Sequence, residues 1–261
     1  MKYKNIDYEI LGSGIPVFIL HGWGIDRTVM TAAFEPIFSD LDGYMRYYID
    51  LPGMGRSKPG DVRNSDDILE LLHSFAADVI GSPFILVGQS YGGLLARGFV
   101  RKYPELVNKL ILLCPCVIPG VRQGNVEQLD VRLRDDELLS SLSKDEYDSF
   151  TYMNAVLSKP VWDRYRKYIM PALERADHEF LDNVLEGSFS FDPDDFEHPC
   201  DVPALIITAK QDSEVGFKDQ FALMSKYTNS TYIAIENAGH NLQIEQPEMF
   251  ESIVRSWLIT H

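Results

Sequence analysis

Over residues 84–103 the chain runs FILV, then G-Q-S-Y-G, then GLLARGFVRKY, and this stretch limits the fold more than any other. Four consecutive apolar residues without alternation describe a strand buried on both faces, as in a parallel sheet covered by helices. The segment that follows has helical period, so strand and helix must meet across a very short turn. Glycine at 88 and 92 permits the close approach, and the serine between them is expected to take a strained backbone costing about 1–3 kcal/mol. That strain lifts the Ser90 hydroxyl clear of the sheet, where it can act as a nucleophile.

Similar apolar runs recur at a spacing that leaves a helix between them. Residues 3–11 alternate and end in the turn cluster Gly12, Ser13, Gly14, which predicts an edge strand. Buried strands are predicted at 17–20, 44–49, 84–87 and 110–113, and again at 204–208 and 231–235. A last amphipathic helix, with proline in its first turn, is predicted over 247–259. This βαβ rhythm predicts an α/β fold with a mostly parallel central sheet flanked by helices. Between 118 and 199 the rhythm stops, and only helix-period stretches appear, such as Trp162, Tyr165 and Ile169, or Phe180, Val184 and Leu185. Residues 1–117 and 200–261 are therefore expected to form the core domain, and 118–199 an inserted helical cap.

A serine hydroxyl needs a base to take its proton, and histidine titrates in the right range. Of six histidines, His240 lies in N-A-G-H directly after the predicted strand TYIAI, whereas His73, His178, His198 and His261 follow no sheet strand. The base needs a carboxylate to orient it. Asp212 follows the strand ALIITA in the loop K-Q-D-S-E, between nucleophile and base in chain order, with Glu214 as the fallback. The strand after the nucleophile ends in Cys114, Pro115, Cys116 and offers no rival acid. An oxyanion requires amide donors worth about 3–4 kcal/mol each. The expected pair is the Tyr91 amide, next after the nucleophile, and the Trp23 amide in the loop H-G-W-G after the second strand. Trp23 and Gly22 are expected to line the substrate pocket together with Trp162, although the indole of Trp23 is equally readable as a core aromatic. His21 is expected to organise its loop through backbone hydrogen bonds. The motif D-L-P-G-M-G-R-S at 50–57 lacks the endings of phosphate loops and is expected to be a tight structural loop stapled by Asp50 and Arg56.

Composition excludes several other classes. Thirty-nine acidic residues against 24 basic ones give a formal charge of −15, which opposes nucleic acid and anionic membranes as partners. Three cysteines supply neither a disulfide framework nor a four-ligand zinc site, and no metal or other cofactor is expected. The first residues hold no sustained apolar run, and none elsewhere is long enough to span a membrane, so a cytoplasmic enzyme, monomer or homodimer, is expected.

Taken together, HGWG, DLPGMGRS, GQSYGG, the Asp212 loop and NAGH resemble the α/β-hydrolase superfamily over the whole chain except the insertion. Serine at 90 is unlike the epoxide hydrolases and haloalkane dehalogenases, whose nucleophile is a carboxylate, so the resemblance implies an ester or other acyl substrate. HGWG and the small cap are similar to the carboxylesterases that demethylate pimeloyl-carrier-protein esters. Residues 118–199, however, carry 18 acidic and nine basic residues, a net of −9, where an acidic carrier protein would need a positive patch. GxSxGG is also similar to the cyclohexadiene-carboxylate synthases of menaquinone synthesis, which have arginine four residues past the serine where this chain has Leu94.

The resemblance implies a serine hydrolase of a small, neutral or weakly polar ester, working through an acyl-serine. Two alternatives stand beside it: a carbon–carbon bond hydrolase or menaquinone-pathway-like lyase on the same triad, and a low-turnover ligand-binding member of the fold. A cap would roof the serine and exclude water. Of its aromatic and methionine side chains, Tyr152, Met153, Trp162, Tyr165, Tyr168, Met170 and Phe180 among them, two or three are expected to reach the pocket and the rest to form the cap's own core.

Overall fold

The computed structural model describes residues 1–120 and 122–261, so Val121, within the expected insertion, lies outside the described residues. Among the described residues ten strands run in chain order as β1 Lys2–Tyr3, β2 Ile6–Gly12, β3 Ile15–Leu20, β4 Tyr44–Ile49, β5 Phe84–Gln89, β6 Val107–Leu113, β7 Leu133–Arg134, β8 Val156–Leu157, β9 Ala204–Ala209 and β10 Ser230–Ile235. The helices are α1 Arg27–Phe38, α2 Ser65–Phe75, α3 Tyr91–Lys102, α4 Asp136–Ser141, α5 Lys144–Thr151, α6 Lys159–Arg164, α7 Met170–Arg175, α8 His178–Asn183, α9 Lys218–Ala222, α10 Leu242–Glu245 and α11 Pro247–Thr260.

Eight strands form one sheet in the order β1-β2-β4-β3-β5-β6-β9-β10. All neighbours from β4 to β10 pair in parallel, and β2 is antiparallel to both β1 and β4. Because side chains alternate along a strand, each inner strand feeds two cores. Phe18, Leu20, Leu86, Leu110, Leu112 and Ile206 face the side covered by α2 and α3. Val17, Ile19, Ile85, Val87, Ile111 and Ile207 face the side covered by α1 and α11. This is why the central strands read as unbroken apolar runs.

The predicted strand over 3–11 is in fact a hairpin. Lys4 turns at a φ of 50°, Tyr3 pairs back onto Ile6, and the two-residue β1 becomes the sheet edge. The insertion differs in two details. Val156 and Leu157 form a short buried strand on Leu133 and Arg134, too brief for any periodicity to reveal. The stretch through Phe180, Val184 and Leu185 is not one helix, since α8 stops at Asn183 and Val184 turns outward while Leu185 bonds back to the Phe180 carbonyl. Helices α6 and α7 are joined by a wide turn at Tyr165–Ile169, just ahead of Pro171, which has no N–H to continue the ladder. The segment builds a third cluster around Phe150, Leu157, Trp162, Tyr165 and Ala172, which rests on Ile25 and Val29 of the sheet domain.

Candidate active site

Parallel strands end on the same edge of the sheet, so the loops that follow them converge. Ser90 follows β5, Gly22 and Trp23 follow β3, Asp212 follows β9 and His240 follows β10. Residues separated by up to 218 positions are thus gathered over one sheet edge.

Ser90 sits at φ 53° and ψ −116°, an unusual backbone for a residue bearing a side chain. The flanking glycines explain how the turn closes. A Cβ on Gly88 would lie 2.3 Å from the Gly92 carbonyl oxygen, and one on Gly92 would lie 2.5 and 2.6 Å from the carbonyl oxygens of His21 and Leu20. These neighbours are backbone atoms with nowhere to go.

The Ser90 Oγ lies 2.9 Å from His240 Nε2, and His240 Nδ1 lies 2.8 Å from Asp212 Oδ2. Asp212 is almost wholly buried, and its other oxygen accepts from the amides of Glu214 and Val215 at 2.8 and 3.0 Å. The aspartate is therefore fixed from both sides. Burial works to push the His240 pKa down, but the Asp212 charge and hydrogen bond, with the more distant Glu214 and Glu245, outweigh it and the net shift is upward. Glu214, the fallback acid, instead receives both Nε and Nη2 of Arg122 and makes no hydrogen bond to His240.

The H-G-W-G loop abuts the elbow: a Cβ on Gly22 would lie 3.1 Å from the Ser90 Cβ and 2.3 Å from Gln89 Oε1. Among the described residues, neither the Trp23 nor the Tyr91 amide N–H has an acceptor, so both remain available to an oxyanion. The two side chains meet edge to face at 5.0 Å, and the Tyr91 hydroxyl is held 2.8 Å from Ser65 Oγ. His21 is fully buried; its Nδ1 donates to the Gly22 carbonyl and its Nε2 accepts from the Leu51 amide, while burial pushes its pKa down. Held as a neutral imidazole, it ties the second-strand loop to the 50–57 loop. In that loop Asp50 accepts from the backbone amides of Arg56 and Arg27 and from the Arg27 guanidinium. Arg27, not the Arg56 side chain, is the basic half of the staple.

A cavity of about 640 Å³ opens above Ser90. Gly22 and Trp23 line it, and the segment 118–199 contributes Met153, Tyr165, Ile169, Leu173, Leu181 and Leu185. Trp162, expected on this wall, is not part of it. Its ring packs on Phe150 at 5.1 Å and on Tyr165 at 6.2 Å, inside the cap's own core, because it lies three residues before Tyr165 on the side of the helix that faces α5. The stripe Tyr165, Ile169, Leu173, at i, i+4 and i+8, was the legible signal for the roof. Gln89 also escaped sequence reasoning. It is buried beside Ser90 with an unpartnered Oε1.

A family model described as the alpha/beta hydrolase family matches residues 17–253. The pimeloyl-[acyl-carrier protein] methyl ester esterase of Shewanella woodyi is 30% identical over 142 residues, 51% of this chain and 52% of that one. The esterase of the same name from Aeromonas hydrophila is 26% identical over 266 residues, covering 97% of this chain and 99% of the relative. Among solved structures, an alpha/beta superfamily hydrolase from Oenococcus oeni PSU-1 is similar at a TM-score of 0.88 and 29% identity, over 98% of this chain and 96% of that one. A thermophilic esterase from Thermogutta terrifontis, at a TM-score of 0.65 and 21% identity over 98% and 93% of the two chains, shares the fold.

Proposed function

The chain belongs to the alpha/beta hydrolase family, and from that premise we propose that it is a serine hydrolase of carboxylic esters, with Ser90, His240 and Asp212 as its triad. The observation that carries this reading is the unbroken line from Ser90 Oγ through His240 to Asp212, at 2.9 and 2.8 Å. In the proposed reaction His240 Nε2 takes the Ser90 proton as Oγ attacks the ester carbonyl, and Asp212 stabilises the imidazolium that forms. The Trp23 and Tyr91 amides hold the developing oxyanion. As the tetrahedral intermediate collapses, the carbon–oxygen bond to the alcohol breaks and His240 returns its proton to the leaving alkoxide. Water, deprotonated by His240, then attacks the acyl-Ser90 ester, releasing the acid and restoring the hydroxyl. Residues 118–199 serve in this reading as the lid that roofs the site.

The lining of the cavity supports a neutral ester with an apolar acyl chain. The Arg122 guanidinium is already engaged by Glu214, while Asp182 on the wall has no ionic partner among the described residues. A second negative charge on the substrate would find no free cation there. The Shewanella and Aeromonas relatives act, by their names, on an ester carried on acyl carrier protein. The net charge of −9 over 118–199 supports a free small ester for this chain instead. Three unpaired cysteines, Cys114, Cys116 and Cys200, suit a reducing, cytoplasmic setting.

A fluorophosphonate probe tests the reading directly. Stoichiometric labelling of Ser90, absent from Ser90→Ala, is expected; a folded wild-type protein that takes no label sinks the proposal.

A further inference from the structure

Glu245 closes the short helix α10, five residues after His240, and its side chain is turned into the protein. No cation bonds to its carboxylate among the described residues. Three backbone amides converge on it instead: Oε2 accepts from Ala155 and Val156, both at 2.8 Å, and Oε1 accepts from Gly239 at 3.0 Å. The first two belong to the cap, and the third is the residue immediately before His240. A buried carboxylate is costly unless hydrogen-bonded in this way.

The contact is the centre of a longer seam. The His240 amide donates to the Met153 carbonyl at 3.3 Å, and Asn241 Nδ2 donates to Asn154 Oδ1 at 2.9 Å, while Asn154 in turn donates to the Phe150 carbonyl at 2.7 Å. Gly239 has no room for a side chain, since a Cβ there would lie 2.3 Å from the Met153 carbonyl oxygen and 3.0 Å from the Ala155 nitrogen. Residues 153–156 of the cap and 239–241 of the base loop are thus joined by one backbone hydrogen bond and by the side chains of Glu245, Asn241 and Asn154. Met153 is also a wall of the cavity.

We propose that Glu245 is a positioning residue for His240: through Gly239 it fixes the base against Ser90, and through Ala155 and Val156 it keeps the Met153 wall in register with that base. The inference rests on the reading of Ser90, His240 and Asp212 as the triad. Glu245 touches no reacting atom. Its leverage is that cap and base cannot shift independently while both oxygens are engaged.

Electrostatics add a signature that packing alone would lack. Burial pushes Glu245 up to about 8 against the pull of its three amides, and the facing Asp212 adds to the rise. Where it is ionised, its carboxylate in turn raises the His240 pKa. The other groups facing His240 are Asp212 and Glu214 on the loop after β9 and Ser90 on the elbow. Those facing Glu245 are Asp212 and the Cys114 thiol just past β6, while Arg164 of α6 donates to the neighbouring Ile244 carbonyl.

Glu245→Gln is isosteric but presents an NH₂ where one oxygen accepted, so one side of the seam opens. Its kcat on nitrophenyl butyrate is expected to fall by up to about 10²-fold, the loss a displaced catalytic group produces. His240, followed by NMR through its Nδ1–H resonance, is expected to titrate at lower pH than in the wild type. Glu245→Asp keeps the charge but shortens the reach; it should lower kcat while moving the His240 titration less than Glu245→Gln does. Wild-type kcat together with wild-type His240 titration, in either variant that folds, overturns the proposal, as does a fall in Tm with kcat per folded molecule unchanged. A wild-type protein that hydrolyses no ester is a failure of the hydrolase reading, and the NMR titration still decides the positioning role.

Discussion

The guanidinium of Arg97 and the carboxylate of Asp194 lie 97 residues apart in sequence yet meet at 2.6 and 3.0 Å, with Arg97 almost wholly buried. Arg97 stands two turns past Ser90 on α3, and Asp194 is near the end of the insertion. The same guanidinium donates to the carbonyls of Cys116 and Val117, where the chain leaves the sheet for the cap. One side chain of α3 thus holds both ends of the segment between β6 and β9.

Removing one partner of a buried pair strands the other, at a cost of about 3–5 kcal/mol. Arg97→Met is therefore expected to be destabilised by that amount in urea unfolding, whereas the double variant Arg97→Met/Asp194→Leu should recover a substantial part of the loss. Additive losses in the double variant would show that the pair is not coupled.

Ser90→Ala should remain folded and lose on the order of 10⁶-fold in kcat, since the serine and its base act as one unit. Steady-state kinetics on nitrophenyl butyrate provide the check, with a residual rate within 100-fold of wild type arguing against an acyl-serine.

Because Asp212 raises the His240 pKa, kcat/KM should climb as pH rises through a value above the ordinary 6.5 of histidine, as the imidazole loses its proton. Asp212→Asn removes that stabilisation of the imidazolium, so the acid limb should move to lower pH and kcat should drop on the order of 10⁴-fold. A limb that stays in place would mean that another group titrates.

The two glycines around the elbow should respond differently to alanine. In Gly92→Ala the new methyl group meets backbone carbonyls at 2.5 and 2.6 Å, so stability should fall by about 1–3 kcal/mol or more. In Gly22→Ala the tightest neighbour is the end of the Gln89 side chain, so thermal unfolding should change less, while kcat should fall because the new methyl group also lies 3.1 Å from the Ser90 Cβ. Equal Tm losses in the two variants would contradict this.

A series of nitrophenyl esters should gain about fourfold in kcat/KM per added methylene, the equivalent of ~0.8 kcal/mol, until the cavity is filled. Leu173→Trp, which adds bulk to the roof, should end the rise at a shorter chain. An unchanged optimum would place the acyl chain elsewhere.

Much of the site could be read before the structure because its signals are local. The glycines at 88 and 92 and the strand before them identify Ser90, and the strand ends before Asp212 and His240 place both on the same sheet edge. Trp162 shows where such reading stops. Period alone puts an aromatic on one side of a helix, but whether that side faces cavity or cap interior depends on α5 and on Phe150, which are packed against it only in the folded chain. The hairpin at Lys4 is similar: an alternating stretch looks continuous until one residue with a φ of 50° divides it.

By itself, then, the sequence determined a parallel sheet, an elbow serine and the order of its partners, because each follows from apolar runs, glycine spacing and chain order. Only the tertiary structure decided that Glu245 turns inward to three amides, that Arg97 finds Asp194, and that Arg122 is engaged by Glu214. These are pairings between distant segments. Their energies depend on burial and on groups brought together by the fold, neither of which is encoded in the neighbourhood of any one residue.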